Sequence, residues 1–233
     1  MDFPMRINKY LALKKISTRR GADELVENKK VFINGKLAVL GSKVNETDKV
    51  EVRQKKGEEK VYVYYAYNKP IGTATEEIPM SKMPFDTNVF RSIFPLGRLD
   101  KASHGLLILT NDGRITDQLL NPKYFHEKEY VVKTKEKLRR NFKEKMEAGV
   151  NIEGYRTKPC KVQIVNEHTF RVTLTEGKKH QIRRMCSALF QEVADLKRIR
   201  VLNIKLDKLK PNTTRPIEAT ELSIFLNQVL HQS

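Results

Sequence analysis

One stretch constrains this chain more than any other: Gly97-Arg98-Leu99-Asp100-Lys101-Ala102-Ser103-His104-Gly105-Leu106-Leu107-Ile108-Leu109-Thr110-Asn111-Asp112-Gly113. The apolar run Leu106 to Leu109, closed by an Asn-Asp-Gly turn, reads as a short strand. The loop before it carries one carboxylate, Asp100, between a glycine bend and that strand, with basic residues on both sides. An acid placed there in a basic chain is an ion-pair anchor or a reactive group. Alone, Asp100 would be read as the anchor; the rest of the sequence favours reactivity.

The chain has 233 residues, enough for one large domain or a small one plus a medium one. Its 45 Lys+Arg against 28 Asp+Glu leave a net charge of +17, which calls for a polyanionic partner, nucleic acid first. Two cysteines, Cys160 and Cys186, have no metal-ligand spacing and are too few for a secreted disulfide framework. They read as small buried residues. No apolar run approaches membrane-spanning length and no signal-peptide core opens the chain, so a soluble, cytoplasmic monomer without membrane contact is expected.

The first sixty residues read as a unit of their own, with fifteen Lys+Arg against nine Asp+Glu. Ile7, Tyr10, Leu11 and Leu13 recur at helical spacing, and Ser17 is the expected N-cap of a second helix with Ala22, Leu25 and Val26 inward. Val31-Phe32-Ile33-Asn34-Gly35-Lys36 carries the Asn-Gly pair of a tight hairpin, Val50-Glu51-Val52 offers a closing strand, and the polar run to Lys60 reads as a linker. The run from Arg6 to Val26 followed by V-F-I-N-G-K resembles the S4 RNA-binding domain. That resemblance implies a helix pair whose basic face lies on folded RNA, with Lys9, Lys14, Lys15, Arg19 and Arg20 on phosphates. Such contacts position a protein without reading sequence.

From Val61 onward, strands and short helices mix without a βαβα rhythm, so an α+β domain is expected rather than a doubly wound sheet. Val61 to Tyr67 is dense in β-formers. Tyr130-Val131-Val132 and Phe170 to Thr175 read as strands; Leu138 to Ala148, Gln181 to Phe190 and Ile217 to Leu230 read as helices.

Four motifs then fall in register: Lys69-Pro70-x-Gly72, the Gly97 to Gly113 run, Lys128-Glu129-Tyr130-Val131-Val132, and Glu176-Gly177-Lys178-Lys179-His180-Gln181-Ile182-Arg183-Arg184-Met185. In order and spacing the chain resembles RNA pseudouridine synthases, specifically the branch with an N-terminal S4 domain that modifies ribosomal RNA. The segments 126–130, 158–162, 183–186 and 200–203 are most similar to the F-type subgroup acting on the large subunit. The implied architecture is a small S4-like RNA-binding domain over 1–55, a linker at 56–60, and a catalytic domain over 61–233 built on a mixed, mainly antiparallel sheet of pseudouridine synthase type. The implied substrate is large-subunit (23S) ribosomal RNA, with a transfer RNA as a second candidate.

The chemistry breaks the N1 glycosidic bond, turns the base and rejoins it through C5. No redox change or outside atom enters, so no cofactor and no metal are expected. The resemblance makes Asp100 the reactive carboxylate, acting at C1′, at C6 or on a sugar proton. It pairs Asp100 with Arg183, which would keep the acid ionised in a dry pocket. Tyr130, alone a core tyrosine, becomes the aromatic that stacks on the target base, and Leu196 an apolar pocket wall. The base must be flipped out of its stack, and Arg98 and His104 flank the loop where the vacated space would lie. Lys178, Lys179, Arg184, Arg198 and Arg200 are expected on a phosphate-facing surface, and His180 is read as structural. Val201-Leu202-Asn203 and Phe190-Gln191 depart from the wider branch, the first in the direction of the F-type subgroup. The competing reading is an RNA-docking factor without catalysis, which would gain nothing from Asp100.

Overall fold

The computed structural model describes residues 3–14, 16–53, 61–80, 83 and 92–230, and for Arg20 the backbone alone. The chain divides into two compact units, Met1–Val61 and Tyr62–Ser233. The expected linker 56–60 and Lys15 lie outside the described residues.

The first unit runs β1 (Met5–Arg6), α1 (Ile7–Leu13), α2 (Arg19–Glu27), β2 (Val31–Ile33), β3 (Lys36–Leu37), β4 (Lys43–Val44) and β5 (Val50–Val52). Ile7 and Leu11 of α1 meet Ala22 and Val26 of α2 over Val31 and Val44, giving the unit its own apolar core. The amide of Asn8 donates to both carboxylate oxygens of Asp23 at 3.0 and 3.2 Å and ties the two helices. Thr18 caps α2 rather than Ser17: its backbone is extended and its hydroxyl accepts the Gly21 N–H at 2.9 Å. Asn34 and Gly35 both take positive φ, +50° and +77°, as a two-residue hairpin turn between β2 and β3 demands. Strand β5 pairs on the other side of β2.

The second unit contains β6 (Tyr64–Lys69), β7 (Phe94–Leu96), β8 (His104–Thr110), α3 (Thr116–Leu120), β9 (Lys128–Thr134), α4 (Phe142–Glu147), β10 (Asn151–Ile152), β11 (Tyr155–Arg156), β12 (Lys161–Asn166), β13 (Thr169–Leu174), α5 (Gln181–Ala188), β14 (Val193–Val201), β15 (Ile204–Lys205), β16 (Thr214–Pro216) and α6 (Ala219–Leu230). Nine strands form one sheet in the order β12-β13-β9-β14-β8-β6-β16, with β15 beside β14 and β7 beside β8. Every pairing in it is antiparallel except β14 with β8. The mixed, mainly antiparallel α+β sheet expected from sequence is what the chain builds.

That parallel seam divides the sheet into two halves with separate cores. On one half, Val132, Phe170, Val172 and Leu196 pack under Phe142 and Met146 of α4 and Ile182 and Met185 of α5. On the other, Leu106 and Ile108 join Tyr64, Leu119, Val201 and Phe225. The opposite face of β8, Leu107 and Leu109, packs with Tyr67, Ile78 and Ile93. Burial on both faces explains why β8 reads as an unbroken apolar run instead of alternating. The helix expected from Leu138 to Ala148 is only α4, because Asn141 takes a left-handed φ of +60° and the helix begins after it.

Candidate active site

Asp100 occupies the turn that enters β8 at the seam. The hydroxyl of Thr75 donates to the Leu99 carbonyl at 2.8 Å and accepts the Leu99 N–H at 3.0 Å, gripping the residue before it on both sides. The Gly72 N–H donates to the Lys101 carbonyl at 2.8 Å, and the Ser103 N–H to the Asp100 carbonyl at 2.9 Å. The Lys69-Pro70-x-Gly72 motif and the Asp100 loop are therefore one hydrogen-bonded structure. Lys69 itself is fully buried and donates to the carbonyls of Pro70 and Thr73 at 3.0 and 2.5 Å. Burial pulls its ammonium below the usual lysine range while the charge of Asp100 pulls it back up, so the two groups feel each other.

The side chain that meets the acid is His180, whose Nε2 is 3.4 Å from Asp100 Oδ1, with 49% and 36% of the two side chains exposed. Both side chains are open to solvent. His180 precedes α5 with a left-handed φ of +51°, and that bend turns its backbone out of the helix path. The expected Arg183–Asp100 pair is not formed: the Arg183 guanidinium donates to the Ala102 carbonyl at 2.9 Å and the Val193 carbonyl at 3.3 Å. Arg183 thus clamps the Asp100 loop to the start of β14, and the buried Nε atom has no partner among the described residues. His180, read as structural from sequence, takes the place beside the acid.

At the seam, His104 of β8 aligns with Lys197 of β14, and Gly105 with Arg198. A Cβ at Gly105 would lie 2.2 Å from the Arg198 carbonyl oxygen, so only glycine permits the strands this approach. His104 Nε2 meets the Asp195 carboxylate at 2.9 and 3.2 Å. Tyr130 on β9 is half-buried beside the same seam, its Cα opposite Arg198, with no hydrogen bond to its hydroxyl among the described residues. Leu196 is buried in the core beneath, 5% exposed. Arg98 is exposed and ion-paired with Glu76.

A family profile described as RNA pseudouridylate synthase matches residues 63–188, and an S4 domain profile matches residues 5–50. Dual-specificity RNA pseudouridine synthase RluF of Escherichia coli strain K12 is 38% identical over 226 residues, 95% of this chain and 78% of its own. The chain belongs to the RNA pseudouridylate synthase family. Ribosomal large subunit pseudouridine synthase B of Bacillus subtilis is 34% identical, with 93% of each chain covered. A solved structure titled as a pseudouridylate synthase superposes with a TM-score of 0.68 at 28% identity, covering 95% of this chain and 98% of that one. The chain is an RNA pseudouridine synthase, an isomerase, with an N-terminal S4 domain.

Several basic residues expected on an RNA-facing surface of this synthase are otherwise engaged. Arg198 is 4% exposed and its Nε donates to the Leu106 carbonyl at 2.6 Å; it is a buried staple across the seam. Arg200 is held by Glu129 at 2.8 Å and Glu127 at 3.0 Å. Arg184 pairs with Glu153 at 2.5 Å. Lys179 is exposed, and exposed Lys178 lies over the Tyr155 ring, 4.7 Å from its centroid. In the S4 unit Lys14 and Arg19 are exposed and Lys9 half-buried, with the Lys14 ammonium 5.8 Å from the Tyr10 ring centroid.

Three supports of the site had no role assigned from sequence. Thr75 grips the Asp100 loop at Leu99, and Lys69 holds the turn over 70–73 whose Gly72 bonds the loop. Glu176, 3% exposed, accepts from the Tyr155 hydroxyl, the Lys158 N–H at 3.0 Å and Gln181 Nε2 at 2.7 Å, while Gln181 Oε1 accepts the Lys178 N–H at 2.9 Å. This network fixes the turn that delivers His180 and Arg183. Lys69 and Glu176 stood inside recognisable motifs, whereas nothing in the sequence marked Thr75.

Proposed function

We propose that this synthase isomerises a uridine of large-subunit ribosomal RNA, that Asp100 acts at the sugar–base junction, and that the S4 unit supplies phosphate contacts to folded RNA. The observation that carries the reading is Asp100 itself: a carboxylate left partly open to solvent in a loop immobilised by Thr75, Gly72 and Arg183. Attack at C1′, attack at C6 and abstraction of a sugar proton all begin from the same carboxylate oxygen. In each route the C1′–N1 bond breaks, the C1′–C5 bond forms, and the C5 proton leaves while N1 gains one, so atoms balance without a co-reactant.

Tyr130 supplies an aromatic face for the flipped base at the seam, and Leu196 an apolar support under it. Arg98 and His104 border the same loop and are placed to meet the backbone around the vacated position. The relatives support the RNA class, since one carries a large-subunit name with 93% of each chain covered. A cytoplasmic monomer is the proposed working form. Among the described residues no helix is long and apolar enough to cross a membrane.

The test is release of tritium from a 23S rRNA transcript made with 5-tritiated uridine, because C5 loses its hydrogen when it joins the sugar. Asp100→Asn is expected to abolish release while RNA affinity stays within a few-fold of wild type. An Asp100→Asn protein that still releases tritium would remove Asp100 from the chemistry. A transfer RNA transcript belongs in the same assay as the second substrate class.

A further inference from the structure

At the outer edge of the sheet, α4 packs beside β12 and leaves a cleft of about 430 Å³. Leu138, Phe142 and Ile164 give it apolar walls, and Lys137, Arg139 and Lys143 line it with charge. Two acids also line it, Glu144 and Glu167, and Lys137 already holds Glu167 at 2.8 Å. Arg139 and Lys143 are exposed and form no ion pair among the described residues. The β12 wall of the cleft stands four strands from β8 in the sheet order, a lateral offset of about 19 Å at ~4.8 Å per strand, and no residue of the Asp100 loop lines the cleft.

Beside the cleft stands Phe190, 72% exposed at the end of α5, with the Arg139 guanidinium carbon 4.9 Å from its ring centroid. A phenylalanine left in water gains nothing from the core it leaves, and here its ring is oriented by a cation that no carboxylate holds in an ion pair, Glu136 acting on it only at longer range. An apolar slot, an exposed ring and two unpaired cations together match one unit of an RNA strand: a base to stack or insert, and phosphates to neutralise. An acidic peptide would match the cations but leave the ring and the slot unused.

We propose that this cleft is a second RNA contact of the synthase, binding an unpaired nucleotide of the substrate RNA remote from the target uridine, with Phe190 as stacking face and Arg139 and Lys143 on its phosphates. The proposal rests on the RNA reading above and adds a separate point of attachment to it. Its occupancy would fix the orientation of the catalytic unit on the RNA without entering the chemistry.

The probe is an unmodified 23S rRNA transcript, with affinity measured by filter binding across a salt series. Arg139→Gln/Lys143→Gln is expected to weaken binding about tenfold at 0.1 M salt and to reduce the salt slope by about 1.4, at ~0.7 per single-strand phosphate contact. Lys208→Gln/Lys210→Gln removes the same charge from exposed positions elsewhere and is expected to change affinity less than threefold. Phe190→Asn deletes the ring while tolerating the left-handed φ of +57°, and is expected to weaken binding about tenfold with an unchanged salt slope. If the two lysine and arginine pairs lose affinity equally, or the cleft variants bind like wild type, the site does not exist. Tritium release is scored separately: a wild type that binds but never isomerises would overturn the substrate reading, while the difference between the paired variants would still decide the cleft.

Discussion

At position 105 an added methyl would meet the Arg198 carbonyl oxygen at 2.2 Å and the Arg198 nitrogen at 2.9 Å, on a backbone with φ of +103°. Neither atom is the free end of a side chain, so relief requires moving a strand. Gly105→Ala is expected to cost about 3 kcal/mol, a fall in Tm of roughly 6–12 °C in a thermal melt. Lys128, on β9 and buried, offers a pH-dependent counterpart: desolvation, with the Arg198 charge adding to it, brings its ammonium down from 10.5 to about 8. Between those values the unfolded chain holds a proton that the folded chain has released, so stability rises with pH across that window. Relative to Lys128→Met, the wild type is expected to gain up to about 3 kcal/mol in urea melts between pH 8 and 10.5, and no gain would mean that Lys128 is hydrated. The Asp100 loop was legible at this scale only through the motifs that accompany it, since the acid alone reads as an ion-pair anchor. Arg198 and Arg200 were not, since a charged residue in a strand does not reveal which face it takes or that Glu127 and Glu129 wait beside it.

Among the elements, α5 is the one whose start decides the site. Its register depends on Glu176 receiving three hydrogen bonds at once from Tyr155, Lys158 and Gln181. A carboxamide in its place can accept on one atom only and brings donors where acceptors are needed. Glu176→Gln is expected to lower kcat at least tenfold with KM within threefold and the circular dichroism unchanged, the signature of His180 and Arg183 being displaced by a fraction of a side chain. A raised KM at constant kcat would instead make Glu176 a substrate contact. The helix expected over 181–190 forms over 181–188, and the hairpin at Asn34-Gly35 was readable from its turn chemistry. The caps were not: Thr18 and Ser17 are equivalent by composition, and only the extended backbone at Thr18 selects between them.

For the whole molecule, the net charge of +17 fits an RNA partner, and the proposed function gives the docking role to the first of the two units. Removing residues 1–55 is expected to raise KM for the 23S transcript and lower the salt slope of binding, with turnover at saturating RNA kept within a few-fold; equal efficiency of the truncated chain would end the docking role of the first unit. The order of the units was legible because motifs survive in sequence. The arrangement of the sheet was not, because β8 and β14 become neighbours only in three dimensions: His104 and Asp195, 91 residues apart, are in contact.

That seam joins the halves through two register pairs, Lys197 with His104 and Arg198 with Gly105, whereas β6 and β8 align over six. Closing so long a loop for so few backbone bonds is entropically expensive until both sides already exist. The amides along the seam are therefore expected to acquire protection last in pulse-labelled hydrogen exchange, after either half has formed. Catalytic competence would then be the final event of folding, and a newly made chain could be compact well before it is able to turn a base.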